Sequence, residues 1–213
     1  MKLSINLFMT LDGVSQSPGS PDEDPRGGFT RGGWLLPVFD EGCGRAVDDW
    51  YSRTSALLLG RNTYDTFAGH WPEVTDSDDR VAAQINRGPK YVVTSRPVDT
   101  VWAETTTVLG DNFLERIRHL KEEPGDELQV HGSVRLARTL HRAGLVDVYR
   151  FLIAPVFVGK GMSIFDGDDS ASTLTATNSS ITDSGVIALE LLPGEFRQAT
   201  SVVQDGKDSV RQS

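Results

Sequence analysis

Near the start of the chain Leu3, Ile5, Leu7 and Met9 alternate with Ser4, Asn6 and Phe8. This alternation predicts a β-strand with one strongly buried face. The pattern then breaks. From Gly13 to Pro37 the residues are rich in Gly, Pro, Ser and Asp, which predicts a long loop. Loops of this length in compact domains are often functional lids. Disorder around Pro18 to Gly28 is the other reading, and each can hold for a different part. Asp40 or Glu41 opens a helix to about Arg53, with Ala46, Val47, Trp50 and Tyr51 inward. Ala56 to Leu59 is a short buried strand, and a helix begins near Asn62. Val81, Ala82 and Ile85 share one face of a helical piece over Ser77 to Asn86, ended by Gly88-Pro89.

Lys90 to Thr94 and Thr106 to Leu109 follow as strands. Phe113, Leu114, Ile117 and Leu120 recur at helical spacing over Asn112 to Lys121, and Pro124-Gly125 breaks the run. Leu128 to Val130 is a strand, Val134 to Ala143 a helix stopped by Gly144, and Val146 to Ile153 another strand. Two late β segments, Ser172 to Ser180 and Gly185 to Leu192, close the fold. Strands alternating with helices imply an α/β fold: a mostly parallel central sheet, helices on both faces, and antiparallel strands at the C-terminal edge. The expected organisation is one domain over 1–203, a lid-like loop over 13–37, and a disordered polar tail over 204–213.

The chain has 213 residues and a formal net charge of −9. That charge argues against a nucleic-acid partner, which needs a basic face, but leaves room for a small basic pocket. The one cysteine, Cys43, allows no intrachain disulfide and is expected to be a packed thiol. MKLSINLFMT is neither a signal peptide nor a membrane span, so a cytoplasmic protein with no membrane partner is expected.

Ligands of open parallel sheets sit beyond the carboxyl ends of the strands. Three such ends are unusual: Gly60-Arg61-Asn62-Thr63, Thr94-Ser95-Arg96, and His131-Gly132-Ser133-Val134-Arg135. Glycine permits a tight turn and a close ligand, and the first N–H groups of a helix are free to meet a phosphate. Asn62 or Thr63 can cap the helix or donate to phosphate oxygen. Arg61 and Arg96 suit a phosphate monoester. Each turn alone is ordinary capping chemistry; three on one sheet point to a dinucleotide. The Gly-rich Rossmann fingerprint and the P-loop are absent, so an ordinary Rossmann dehydrogenase does not fit.

SINLFMTLDGV (4–14), ALLLGRNTYDTF (56–67), KYVVTSR (90–96), LQVHGSVRLARTL (128–140) and LVDVYRFLIAPVFVGKGMSIF (145–165) together resemble the dihydrofolate-reductase-like superfamily. The resemblance is to a stand-alone member of its riboflavin-biosynthesis reductase branch, the RibD C-terminal domain. It implies a three-layer dihydrofolate-reductase-like fold and NADPH as cofactor. Gly60, Arg61 and Thr63 would hold the cofactor phosphates, with Asn62 beside them. Thr94, Ser95 and Arg96 would lie at the adenosine end, Arg61 and Arg96 near the 2′-phosphate. Gly132, Ser133 and Val134 would contact the pyrophosphate, and His131 would touch the ligand. Met9, Thr10 and the residues to Asp12 would flank the nicotinamide. A homodimer through the late β segments is also implied.

Two acids are candidate proton donors. Classical dihydrofolate reductases carry one shortly after Trp-x-Leu-Pro, and this chain reads Trp34-Leu-Leu-Pro37-Val-Phe-Asp40, one residue out of step. Asp40 serves equally as a helix N-cap. Asp12 is the second candidate, or a turn residue in Asp-Gly. Val14 after Gly13, and Leu-Leu-Pro after Trp34, depart from the riboflavin branch and put its ribose-phosphate contacts in doubt. No metal site is expected, since the four histidines are not paired at ligand spacing. His119 and His141 are read as helix-surface residues. The leading reading is an NADPH-dependent reductase of a small heterocyclic or carbonyl substrate. The alternatives are the 5-amino-6-(5-phosphoribosylamino)uracil reductase of riboflavin biosynthesis and a catalytically silent nucleotide-binding protein.

Overall fold

The computed structural model describes residues 1–98, 101–165 and 171–212. Ten strands and five α-helices appear among them: β1 (Lys2–Thr10), α1 (Glu41–Ser52), β2 (Thr54–Gly60), α2 (Arg61–Ala68), α3 (Arg80–Arg87), β3 (Lys90–Val93), β4 (Thr106–Leu109), α4 (Phe113–Glu122), β5 (Glu127–His131), α5 (Val134–Arg142), β6 (Val148–Ala154), β7 (Thr173–Ile181), β8 (Ile187–Gly194), β9 (Ala199–Gln204) and β10 (Lys207–Gln212). Eight strands form one sheet in the order β4-β3-β2-β5-β1-β6-β8-β7. The first six run parallel, and β8 and β7 add antiparallel at one edge. This is the α/β architecture that the alternating elements predict.

The two faces of the sheet are built differently. Leu3, Ile5 and Leu7 of β1, Leu128 and Val130 of β5 and Phe151 of β6 pack against Ile117 and Leu120 of α4 and Leu136, Ala137 and Leu140 of α5. Side chains of a strand alternate between faces. The other face therefore carries Ser4 and Asn6, Glu127, Gln129 and His131, and Arg150. All six are buried, and Gln129 donates to the Trp50 carbonyl of α1 at 2.7 Å. A strand such as ELQVH reads as half-exposed by pattern, yet every one of its residues is buried. Further along this second face Tyr51, Leu57, Leu59, Tyr64, Ile85 and Val92 form an apolar cluster under α1 and α3.

The loop from Leu11 to Asp40 is packed. Val14, Phe29, Trp34 and Leu35 form a small core with Ala154 and Val158. Trp34 Nε1 donates to the Gln16 carbonyl at 2.8 Å, and Ser15 N to the Met162 carbonyl at 2.9 Å, so the segment after β6 anchors it. Cys43 is fully buried, and burial pushes its thiol pKa up. His141 departs from its expected surface role: its Nδ1 lies 2.6 Å from Tyr149 Oη, with the Phe165 ring beside it. The polar end also differs from the expected disordered tail. β9 and β10 pair as an antiparallel hairpin about Asp205-Gly206, two residues with positive φ, a turn the polar composition concealed. Ser213 lies outside the described residues. Among those residues no helix is long and apolar enough to cross a membrane.

Candidate active site

β2 and β5 are neighbours, so the turns that follow them lie side by side. Neither α2, whose N-cap is Gly60, nor α5, whose N-cap is Ser133, has a side-chain cap on its first N–H groups. The two turns are bolted together instead. Gly60 N donates to Ser133 Oγ at 2.8 Å; Ser133 Oγ and Ser133 N donate to Thr63 Oγ1 at 2.8 and 3.0 Å. Gly132 and Ser133 both take left-handed backbone, φ 61° and 54°. That conformation is cheap for Gly132 but strained for Ser133, and the bonds to Thr63 hold it. A Cβ on Gly60 would stand 3.2 Å from Ser133 Oγ, so the closeness of the turns depends on glycine.

A cleft of about 1030 Å³ opens beyond these turns. Val47, Tyr51, Phe67, Trp71 and Val81 give it an apolar wall; Asn6 and His131 lie at its base, and the loop residues Ser15 to Ser20 close over it. Arg26, Arg61 and Arg135 also line it, together with Asp22, Glu23 and Asp24, so the lining carries both signs of charge. Arg61 Nε meets both Asp65 carboxylate oxygens at 2.8 Å, and its Nη1 donates to the Pro97 carbonyl at 2.6 Å. It thereby ties the turn after β2 to the turn after β3. Arg26 pairs with Asp24, and its Nη1 reaches the Asn62 carboxamide at 2.7 Å, a hydrogen bond once that amide is turned so that its oxygen faces the guanidinium. Burial raises the Asp24 pKa, but the bonds from Arg26 and the charge of Arg135 outweigh it and hold the carboxyl low. Glu23 lies in the same cleft, and burial pushes its pKa up despite N–H bonds from Gly19 and Ser20.

Gly60, Arg61, Asn62, Thr63, His131, Gly132, Ser133 and Val134, from two of the three strand ends, all line the cleft. The third strand end contributes Val93 to the lining. Thr94, Ser95 and Arg96 sit just outside, where Thr94 Oγ1 accepts from Arg96 N at 3.1 Å and closes the turn. On β1 the lining residues are Asn6, Leu7 and Phe8, earlier than the expected Met9 and Thr10. Met9 packs in the core, and Thr10 Oγ1 is engaged with Asp12 at 2.5 Å and Val14 N at 3.0 Å.

Both candidate acids are structural. Asp40 caps α1: Oδ1 accepts from Cys43 N at 2.9 Å and Oδ2 from Ser184 N at 2.8 Å. Those two backbone bonds hold its carboxyl far below the usual range, the wrong direction for a proton donor. Asp12 Oδ2 accepts from Gly159 N at 2.7 Å and fastens the start of the loop to the segment after β6. Burial raises its pKa, but the bonds from Thr10, Gly159 and Val158 prevail and lower it. Neither residue lines the cleft.

The pattern missed Arg26, Asn6, Tyr51 and Ser15, and named Arg135 in the third strand end without giving it a role. Arg26 lies in an aperiodic loop, and Asn6 reads as the solvent side of an alternating strand. Ser15 is the most informative. Its Oγ is buried without a hydrogen-bond partner, and the residue lines the cleft. Buried hydroxyls are seldom left unpaired, so this one stands out. The uncapped helix ends and the arginines make the cleft suitable for an extended phosphorylated cofactor.

Residues 1–188 match the RibD C-terminal domain family. The chain belongs to that family. The uncharacterized protein YyaP of Bacillus subtilis (strain 168) is similar, 25% identical over 193 residues, covering 88% of this chain and 93% of that one. A solved structure of a candidate riboflavin biosynthesis protein from Shewanella sp. PV-4 matches with a TM-score of 0.64 at 17% identity, covering 92% of this chain and 100% of that one. Dihydrofolate reductase from Enterococcus faecalis, complexed with NADP(H), matches with a TM-score of 0.58 at 16% identity, covering 91% and 97%. The fold is thus dihydrofolate-reductase-like.

Proposed function

We propose that this RibD C-terminal domain protein is an NADPH-dependent reductase of a small heterocyclic or carbonyl substrate. The observation that carries the reading is the pair of uncapped helix ends at Gly60 and Ser133, bolted together beside an arginine-lined cleft. The N–H groups of α2 and α5, with Arg26 and Arg135, hold the cofactor's phosphates. NADPH, when bound, supplies a hydride. The protein aligns the acceptor against the apolar wall of Tyr51, Phe67 and Trp71, and the loop over 13–37 excludes water. Because Arg61 is held by Asp65 and points to the turn after β3, Arg61 and Arg96 together form the selector for a 2′-phosphate. The pyrimidine reductase of riboflavin biosynthesis is one such activity within this reading. We also propose a cytoplasmic homodimer through the β7–β8 edge, since the nine-residue β7 is an exposed edge strand.

The test is consumption of NADPH by purified protein with dihydrofolate, the pyrimidine ribosylamine and a panel of quinones and carbonyls. Turnover with any of them supports the reading. Saturable NADPH binding without oxidation across the whole panel would instead favour a silent nucleotide-binding protein.

A further inference from the structure

The positive ends of α2 and α5 are answered from the loop. Neither helix has an acidic residue in its first turn; those turns carry Asn62 and Arg135 instead. A helix N-terminus and an arginine both favour a nearby anion. Asp24 supplies one. Its Oδ1 accepts from Arg26 Nε at 2.6 Å and its Oδ2 from Arg26 Nη2, while Arg26 Nη1 lies 2.7 Å from the Asn62 carboxamide. The Asp24–Arg26 pair therefore rests against the first turn of α2. The charge of Arg135, from the first turn of α5, acts on Asp24 as well. Asp22 and Glu23 line the same cleft, but Glu23 Oε2 accepts from Gly19 N at 2.7 Å, and neither acid pairs with an arginine among the described residues.

The backbone around Asp24 is fixed, and its carboxylate is not. Asp24 N donates to Ser17 Oγ at 2.7 Å, and Ser17 Oγ to the Asp24 carbonyl at 3.1 Å. Gln16 Nε2 donates to the Asp24 and Arg26 carbonyls at 2.9 Å each, and Gln16 Oε1 accepts from Met162 N at 3.0 Å. The loop tip is thus stitched to the segment after β6 through buried Gln16. The Asp24 carboxylate takes no part in that stitching: among the described residues its partner is Arg26 alone. The side chains of Arg26 and Asp24 are 41% and 18% exposed, so the pair can part without unmaking the loop. Arg150 is the contrast. It is 2% exposed, with Nη1 and Nη2 on the two Glu127 carboxylate oxygens at 2.7 Å each and Nε on Glu190 Oε2 at 2.7 Å, a pairing sealed inside the sheet.

We propose that Asp24 is a built-in competitor for the ligand's phosphate: Arg26 exchanges the Asp24 carboxylate for a phosphate oxygen when nucleotide binds, while the loop backbone stays in place. The proposal rests on the reductase reading for the identity of that nucleotide. Asp24 then tunes selectivity. A ligand that brings a phosphate to Arg26 replaces the charge it displaces; an uncharged ligand gains nothing from that arginine and leaves the pair closed. The cost is affinity, since part of the phosphate's attraction is spent on parting Arg26 from Asp24.

Two measurements test it. In the first, NADPH and, separately, inorganic pyrophosphate are titrated into the native chain, Asp24→Asn, Arg26→Gln and the double variant. Asparagine keeps the shape of Asp24 and its backbone bonds and removes the charge. Asp24→Asn should bind both ligands about fivefold more tightly, the scale of one part-exposed ion pair. With Arg26 replaced by Gln, the same change should gain less than about twofold. Unchanged or weaker binding in Asp24→Asn, a gain above twofold that persists in the Arg26→Gln background, or failure of both ligands to bind would overturn the proposal. If pyrophosphate shows the expected pattern and NADPH does not bind, the competitor role stands and the reductase reading falls. The second measurement needs no variant: the ¹H–¹⁵N signal of Arg26 Nε in the native chain. It should shift as pyrophosphate saturates the protein; a signal that stays in place at saturation shows that Arg26 keeps Asp24 and overturns the exchange.

Discussion

Thr63→Val is the perturbation that bears most directly on the paired turns. Valine keeps the shape of threonine and removes only the hydroxyl. That hydroxyl accepts from Ser133 N at 3.0 Å and Ser133 Oγ at 2.8 Å. Two neutral hydrogen bonds contribute about 1 kcal/mol each. The left-handed conformation of Ser133, φ 54°, costs roughly another 1 kcal/mol that nothing then offsets. The turn should respond by relaxing, so the expected loss lies at about 2–3 kcal/mol rather than at a full desolvation penalty. Urea unfolding followed by tryptophan fluorescence measures it. Thr63→Ser retains the acceptor and should cost less than about 1 kcal/mol. Thr63→Val should also weaken NADPH by roughly tenfold, or about 1.4 kcal/mol, because the two helix ends lose their common aim. Unfolding of Thr63→Val within ~0.5 kcal/mol of the native chain would refute the argument that these bonds hold the turns.

Asp40→Asn should lower the melting temperature through loss of the α1 cap while leaving NADPH affinity unchanged; a normal melting point with abolished turnover would return Asp40 to the chemistry. Arg150→Met leaves Glu127 as a buried carboxylate without its cation and should cost about 3–5 kcal/mol by urea unfolding. Burial raises the Glu127 pKa, but Arg150 more than offsets it, so the folded value lies below the ordinary 4.5 of a glutamate. The stability Glu127 contributes is therefore present above that pH and is lost as pH falls through the lower folded value; a stability–pH curve of the native chain flat through this range would contradict it. Arg61→Ala with Arg96→Ala should weaken NADPH far more than NADH, and equal loss in a binding titration would remove the 2′-phosphate assignment.

The parallel sheet was legible because β1, β2, β5 and β6 announce themselves as alternating or continuous apolar runs cut by Gly, Pro and capping residues. The turns at Gly60 and Gly132 were legible only together, since a glycine with a hydroxyl residue close behind it at a strand end is ordinary capping chemistry when it stands alone. What the pattern hid was burial of polar residues. Ser4, Asn6, Glu127, Gln129 and Arg150 look like a solvated face, and only the register of four strands shows that they satisfy one another. The acids failed for a related reason. Asp40 and Asp12 have the composition of an active site, but backbone N–H groups distant in sequence, at Ser184 and Gly159, claim their oxygens. Arg26 lies in a loop without periodicity, where no spacing argument places a side chain.

The central claim is that the cleft beyond Gly60 and Ser133 holds NADPH. Titration of the purified protein with NADPH, with NADH alongside, followed by nucleotide fluorescence, tests it most directly. Saturable binding that favours NADPH is the predicted result; failure of both nucleotides to bind at millimolar concentration would contradict it.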